Sequence, residues 1–297
     1  MRYNCIITIR HLPQFTQEDI MSKRKKKIII MLICLLITIG LFIWGFLMQT
    51  VKYDIHSKKL PKGLKIVFIS DLHNCFYGGT DQSQLMDEID NAEPDIVIFG
   101  GDVLDGWGGQ KYAKRIMEWT ADRYPCYYTP GNHEEMRDDK NDFYDWVKDS
   151  KVNFVLGDYE DVSIRGQKIR IYGILDAFYN ADLDHISGTL DDSCYNILIA
   201  HQPEQIDHYL DTGNVKFDLI LSGHAHGGQW RIPKLLEQGL YAPDQGIFPD
   251  FTNGERSYGG TVQIVSRGLA KPPRMIFIPR IFNRPELSVI DIVPAEQ

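Results

Sequence analysis

Short, unbroken apolar runs, each closing on a small polar cluster, set the rhythm of this chain. Residues 64–69 (LKIVFI), 95–99 (DIVIF), 126–129 (CYYT), 197–200 (ILIA) and 218–221 (DLIL) are rich in branched and aromatic side chains and too short for helices. They predict β-strands. Little polar alternation interrupts them, so the sheets are expected to be covered on both faces. Between them, residues 83–92 and 112–121 repeat apolar positions three or four apart, the spacing of a helix with one buried face. Later runs at 169–174, 262–265 and 287–292 read as strands with little helix between, which predicts a second sheet. The expected class is α/β.

One stretch departs from this rhythm. Residues 28–48 (IIIMLICLLITIGLFIWGFLM) carry no charge. About 21 residues at about 1.5 Å each suffice to cross about 30 Å of hydrocarbon. Lys23-Arg24-Lys25-Lys26-Lys27 precedes it, and the positive-inside rule then places the amino terminus in the cytoplasm and the following domain on the extracytoplasmic side of the cell membrane. Lys52, Lys58, Lys59 and Lys62 oppose that orientation. A cleaved signal peptide has a shorter apolar region ending at small residues, whereas Gln49-Thr50-Val51-Lys52 follows here. The expected organisation is a cytoplasmic tail at 1–27, a single transmembrane helix at 28–48, a linker at 49–63 and a catalytic domain at 64–297. Residues 1–20 show neither helical periodicity nor a targeting pattern, while Met21-Ser22-Lys23 opens like the start of a membrane anchor. Translation is therefore expected to begin at Met21.

Composition adds bounds. A chain of 297 residues with 43% apolar and 24% charged residues accommodates one globular domain plus a short extension. The net charge is −8 and the strongest basic cluster adjoins the apolar helix, which leaves no basic face for nucleic acid. Cys75, Cys126 and Cys194 are an odd set in the domain without a C-x-x-C spacing, so no disulfide framework is expected.

The polar clusters that close the strands carry the candidate chemistry. In order they are Asp71-Leu72-His73, Gly101-Asp102, Gly131-Asn132-His133-Glu134, His201 and Gly223-His224-Ala225-His226. Any one alone reads equally well as a cap or turn. Together they hold five of the nine histidines. Carboxylate, carboxamide and imidazole donors gathered at the carboxyl ends of strands suit two d-block cations better than magnesium, which prefers oxygen.

This ordered set resembles the calcineurin-like metallophosphoesterases over residues 64–292. The resemblance implies a four-layer α/β/β/α sandwich with two divalent metal ions. Asp71, His73 and His226 would bind the first, Asn132, His201 and His224 the second, and Asp102 would bridge them. Manganese is the metal the resemblance favours; iron, zinc and cobalt also match the donors. His133 corresponds to the family's catalytic, non-ligand histidine, placed to donate a proton or stabilise charge on the leaving oxygen. Paired cations of this kind lower the pKa of a bridging water, so a hydroxide is the expected nucleophile. Glu134 is set aside as a cap, Asp105 is left open, and Arg267 is a candidate contact for substrate phosphate or a structural ion pair.

Protein serine/threonine phosphatases of this family carry an arginine soon after the second cluster, and none follows Asp102 up to Trp107. Instead, Gly223-His224-Ala225-His226-Gly227-Gly228-Gln229 with Val265-Ser266-Arg267-Gly268 and Asn283-Arg284-Pro285-Glu286 is similar to a membrane-associated subgroup that includes UDP-2,3-diacylglucosamine pyrophosphatases. The expected partners are the lipid bilayer and a phosphoester substrate with a phosphodiester or pyrophosphate bond, lipid-linked nucleotide sugars among the candidates. Phe76, Tyr77, Trp107, Trp230, Leu235 and Leu236 read either as an acyl groove or as core. A soluble phosphodiester and a non-catalytic, membrane-tethered metal-binding module are the alternatives, and oligomeric state is not legible.

Overall fold

The computed structural model describes residues 17–175, 179–271 and 280–295, so the expected start at Met21 turns largely on residues outside that range. The chain divides into two units, 1–41 and 42–297. Helix α1 (Gln17–Trp44) makes up the described part of the first and ends in the second. Its segment Ser22–Trp44 has a mean hydropathy of 2.7 over its most apolar window, long and apolar enough to cross a membrane. Ile28, Ile29, Ile30 and Met31 point to successive sides and all are exposed. A helix apolar all round suits hydrocarbon or a deep core, and this one has no core around it. It begins before residue 28 because lysine and arginine are good helix formers.

The second unit contains two six-stranded sheets. Residues 49–57, expected within a linker, instead form strand β1 (Gln49–Ser57), which pairs in parallel with the final strand of the chain over its whole length. Val51, Tyr53 and Ile55 alternate with polar Lys52, Asp54 and His56, a short strand pattern that the linker assignment passed over, and of the three Tyr53 and Ile55 are buried.

The first sheet continues with β2 (Leu64–Ile69), β3 (Ile96–Gly100), β4 (Cys126–Thr129) and β5 (Asn153–Phe154), all mutually parallel. Helices α2 (Ser83–Ala92) and α3 (Lys111–Ala121) are the crossovers β2–β3 and β3–β4, and short α4 (Asn132–Glu135) with α5 (Lys140–Asp149) joins β4 to β5. The second sheet contains β6 (Asp158–Ile164), β7 (Gln167–Ile174), β8 (Tyr195–Ala200) and β9 (Leu219–Ser222), with α6 (Tyr179–Ser187) and α7 (Ile206–Tyr209) in its connections. A small hairpin of β10 (Tyr241–Ala242) and β11 (Gly246–Ile247) follows. Then β12 (Gly254–Tyr258) and β13 (Thr261–Val265) complete the second sheet, and β14 (Glu286–Pro294) returns to the first between β1 and β2.

Strand periodicity sorts the core into layers. Val67, Ile69, Val97 and Phe99 face helices α2, α3 and α5 through Leu85, Ile89, Ile116 and Phe143. Their neighbours Ile66, Phe68, Ile96 and Ile98 face Ile197, Ile199, Leu219 and Leu221 of the second sheet. The outer face of that sheet buries Leu198 and Ile220 against Leu183, Ile186 and Ile206. Alternation by two thus assigns each strand residue to one of two cores, and the layers run α/β/β/α as expected. Fully burying each such side chain contributes about 1.5–3 kcal/mol, which holds the strand ends where the polar clusters begin. Tyr77, a candidate for the acyl groove, lies in the helix-side core instead, its hydroxyl donating to the Leu269 carbonyl.

Candidate metal centre

All five polar clusters meet at the carboxyl ends of β2, β3, β4, β8 and β9. Backbone bonds tie them together: Asp71 N–H donates to Gly101 O (3.0 Å), His73 N–H to Asp102 O (2.9 Å) and Gly223 N–H to His201 O (3.0 Å). The carboxylates are anchored too. Asp71 Oδ1 accepts the His224 N–H at 3.0 Å, and Asp102 Oδ1 accepts the His133 N–H at 2.8 Å. Asp102 Oδ2 faces His73 and His201, and Asp71 Oδ1 faces His201 and His226 while its Oδ2 accepts the Ser70 hydroxyl.

That convergence needs close approach between loops. A Cβ on Gly223 would lie 1.8 Å from Ser70 Oγ and 2.4 Å from Asp71 Oδ2, and one on Gly131 would lie 2.4 Å from Asp102 Oδ1. Only glycine lets these backbones pass so near the carboxylates. Strain accompanies the approach: Asp71, His73, Asp102, His224 and His226 all have φ between 47° and 65°. Left-handed backbone at non-glycine residues costs energy and gathers at functional sites.

Six of the side chains fall into two groups. Asp71, His73 and His226 bring ligand atoms within 4.8 Å of one another, as do Asp102, His201 and His224. His201 Nε2 lies 3.1 Å from Asp102 Oδ2 and 3.8 Å from Asp71 Oδ1, so the two groups share one cavity. The other ring nitrogen of His201 is 2.9 Å from the Gly100 carbonyl, a bond that holds the proton on Nδ1 and leaves Nε2 its lone pair. Asn132 begins α4, and the adjoining Gly131 packs on Asp102 and His201.

Two observations test whether divalent metal fits. Both ring nitrogens of His73, Nδ1 of His226 and Oδ1 of Asn132 are buried without a hydrogen-bond partner, an arrangement too costly to persist unless something else satisfies them. The donor set mixes imidazole, carboxylate and carboxamide, which suits d-block cations. The residues fit the metals. Burial alone would raise the Asp102 carboxyl, but facing His201, His133 and His73 hold it well below the usual range. Burial and the neighbouring His73 push His226 far below an ordinary histidine, so its ring stays neutral as a ligand requires.

His133 sits at the mouth, partly exposed, its Nε2 4.0 Å from Asp102 Oδ2. Its Nδ1 is 3.3 Å from Asp105 Oδ1. Burial would lower this imidazole, yet Asp105 and Asp102 outweigh it and raise it to about 9. Asp105, left open by sequence, therefore stands directly behind His133. Glu134 is fully buried and accepts the N–H groups of Asp102 (2.9 Å), Leu104 (2.6 Å) and Gly131 (2.9 Å), clamping the second and third clusters together. Arg267 pairs with Glu286, its Nε 3.3 Å from Oε2, and the adjoining Gly268 packs on Asp71.

The sequence model of the calcineurin-like phosphoesterases matches residues 64–228, more than half of the chain. The chain belongs to that family. It is a metal-dependent phosphoesterase. Relatives include an uncharacterised metallophosphoesterase of Bacillus subtilis, YkuE, 26% identical over 83% of this chain and 86% of its own length. A Helicobacter pylori metallophosphoesterase is 27% identical over 82% of this chain but only 63% of its own length. A zebrafish transmembrane protein with a metallophosphoesterase domain is 24% identical over 79% of this chain and 60% of its own. The chain thus spans less than two thirds of the latter two proteins.

Two acidic residues at the centre escaped the sequence reading. Asp244, in the turn of the β10–β11 hairpin, places Oδ2 2.7 Å from His224 Nε2. Glu204, three residues after His201, joins them in a further group of ligand atoms within 4.8 Å. Neither lies in a strand-end cluster, so no local signal could have singled them out.

Proposed function

We propose that this phosphoesterase is a membrane-anchored hydrolase of phosphodiester or pyrophosphate bonds, with lipid-linked nucleotide sugars as its substrate class. The observation that carries the reading is the meeting of two ligand groups in one cavity beside His133, in a chain that begins with a membrane-length helix. Asp71, His73 and His226 would hold one divalent ion, Asn132, His201 and His224 the other, with Asp102 shared between them. Bound there, the pair supplies Lewis acidity toward phosphoryl oxygens and activates water.

The chain's own groups do the rest. The carboxylates of Asp71 and Asp102 are pinned by the N–H groups of His224 and His133, so the ligands need little reorganisation when substrate arrives. His133 Nε2, at the mouth, donates its proton to the leaving oxygen as the phosphorus–oxygen bond breaks. The Gly106 N–H donates to Nδ1 at 3.1 Å and Asp105 Oδ1 lies 3.3 Å from the same nitrogen, which fixes the ring's orientation and leaves the transferable proton on Nε2. Glu286 holds Arg267 through Nε and leaves the two terminal guanidinium nitrogens as the part of that side chain that would meet a substrate phosphate.

Tethering confines the enzyme to the plane in which lipid substrates diffuse, raising their effective concentration. Of the candidate groove residues, Phe76, Trp107, Trp230 and Leu235 are exposed, which supports an apolar surface outside the metal pocket. Manganese is the metal we expect. The test is incubation of the manganese-loaded full chain in nanodiscs with lipid pyrophosphates, nucleotide diesters and phosphopeptides, read by product mass. Cleavage of a soluble diester with no lipid cleaved rejects the lipid-linked class, and no metal-dependent cleavage at all rejects turnover in favour of a binding module.

A further inference from the structure

The segment between the metal ligands and β12 is unusual in what it leaves in water. Leu235 is 78% exposed, Ile247 69% and Phe248 62%, with Ile232, Tyr241 and Phe282 also open. These residues belong to one lobe. Tyr241 and Ile247 are a cross-strand pair, Phe248 N–H donates to Leu240 O at 2.9 Å, and Ile232 bridges Leu236. Trp230 bridges Ile281, and Phe282 lines a cavity of about 200 Å³ with Arg231 and Pro233. Single exposed apolar residues need no explanation, but a contiguous set on short hairpins marks a contact surface.

What covers it is indicated by the neighbouring strap. Arg284 donates to the carbonyls of Leu47 and Met48, and its guanidinium lies 5.3 Å from the Trp44 ring centroid. A Cβ on Gly45 would lie 2.7 Å from Arg280 O. Trp44 is the last residue of α1, and tryptophan and arginine at the end of an apolar span are the side chains that settle at the membrane–water boundary. The strap at 280–284 therefore joins residues 44–48 to the apolar lobe. Exposed Lys234 adds a cation to the lobe, with Glu237 as a nearby acid.

We infer that the lobe at 230–248, with Phe282, is a second membrane contact that rests its apolar tips in the bilayer interface next to the end of the spanning helix. The inference rests on the reading of α1 as a membrane span. The lobe also carries Asp244, bonded to His224, and Gly239 packs on Gly228 two residues after His226. The metal pocket is thus joined to the same lobe.

The test uses the full chain reconstituted in vesicles, with an environment-sensitive fluorophore on single cysteines introduced by Leu235→Cys or Ile247→Cys in a Cys5→Ser, Cys34→Ser background. Cys75, Cys126 and Cys194 are buried. A label on native Cys34 reports the helix itself, and Lys151→Cys, on an exposed side chain, reports water. Contact of about 5–10 Å depth predicts a blue shift at 235 and 247, with loss of emission when the lipids carry a doxyl quencher, and no change at 151. Quenching at 34 with water-like emission at 235 and 247 overturns the lobe contact while leaving the anchor intact. No quenching at 34 overturns the anchor itself. A blue shift in detergent that depends on protein concentration assigns the surface to a second copy of the chain and also overturns the proposal.

Discussion

Replacing Asp244 by asparagine tests how far the metal centre depends on a residue that contributes no strand-end ligand. Asp244 Oδ2 lies 2.7 Å from His224 Nε2, a charge-assisted geometry. With Nε2 held there, Nδ1 is the nitrogen that would serve the Asp102–His201 side of the cavity. A carboxylate behind a ligating imidazole fixes its orientation and raises its basicity, and losing such a partner typically costs 10–100-fold in metal affinity. The Asp244 side chain is 57% exposed, however, and water screens a bond so open. The expected loss is therefore at the lower limit, about tenfold, or ~1.4 kcal/mol. Competitive titration of the full chain against a chromogenic chelator measures it, with Asp250→Asn as control because that nearby exposed acid removes the same charge. If both variants hold metal equally well, Asp244 does not position His224 and the reasoning fails.

Other variants divide the roles. His133→Ala should retain both metals by elemental analysis yet lose roughly 10²–10⁴-fold in turnover of bis-p-nitrophenyl phosphate; undiminished turnover removes it as the acid. Asp102→Ala should lose metal stoichiometry before it loses fold, because its oxygens face both ligand groups; two ions per chain would show that it does not bridge. Glu134→Ala strips the acceptor from three backbone N–H groups, and at about 1–3 kcal/mol for each buried unsatisfied donor the urea midpoint should fall markedly. A midpoint unchanged from the parent would show that Glu134 is not a clamp. Gly223→Ala forces a methyl against Ser70 and Asp71, and overpacking of about 1–3 kcal/mol should lower both Tm and metal content. Wild-type behaviour in both would refute the close approach.

Several features were legible along the chain because they repeat locally. Apolar runs closing on polar clusters located β2, β3, β4, β8 and β9, and a sheet covered on both faces leaves only its strand ends for polar chemistry. Helix α2 falls at 83–92 as its periodicity indicated. Misreadings arose where the deciding partner is distant. β1 has a short alternation at Val51, Tyr53 and Ile55, but the strand that pairs with it, β14, lies more than 200 residues away. Tyr77, for which groove and core were both open, is decided for the core by a partner 192 residues away, the Leu269 carbonyl.

By itself the amino-acid order determined the class, the number and order of the donor clusters, and the membrane-length helix, since each is written in residue type and short spacing. Tertiary structure alone decided that these donors share one cavity, that Glu134 clamps two loops, that Arg267 is engaged by Glu286, and that Asp244 stands behind His224. The reason is physical: which groups lie within a few ångströms across a sheet edge depends on strand order and loop closure, and neither leaves a trace in the spacing of neighbouring residues.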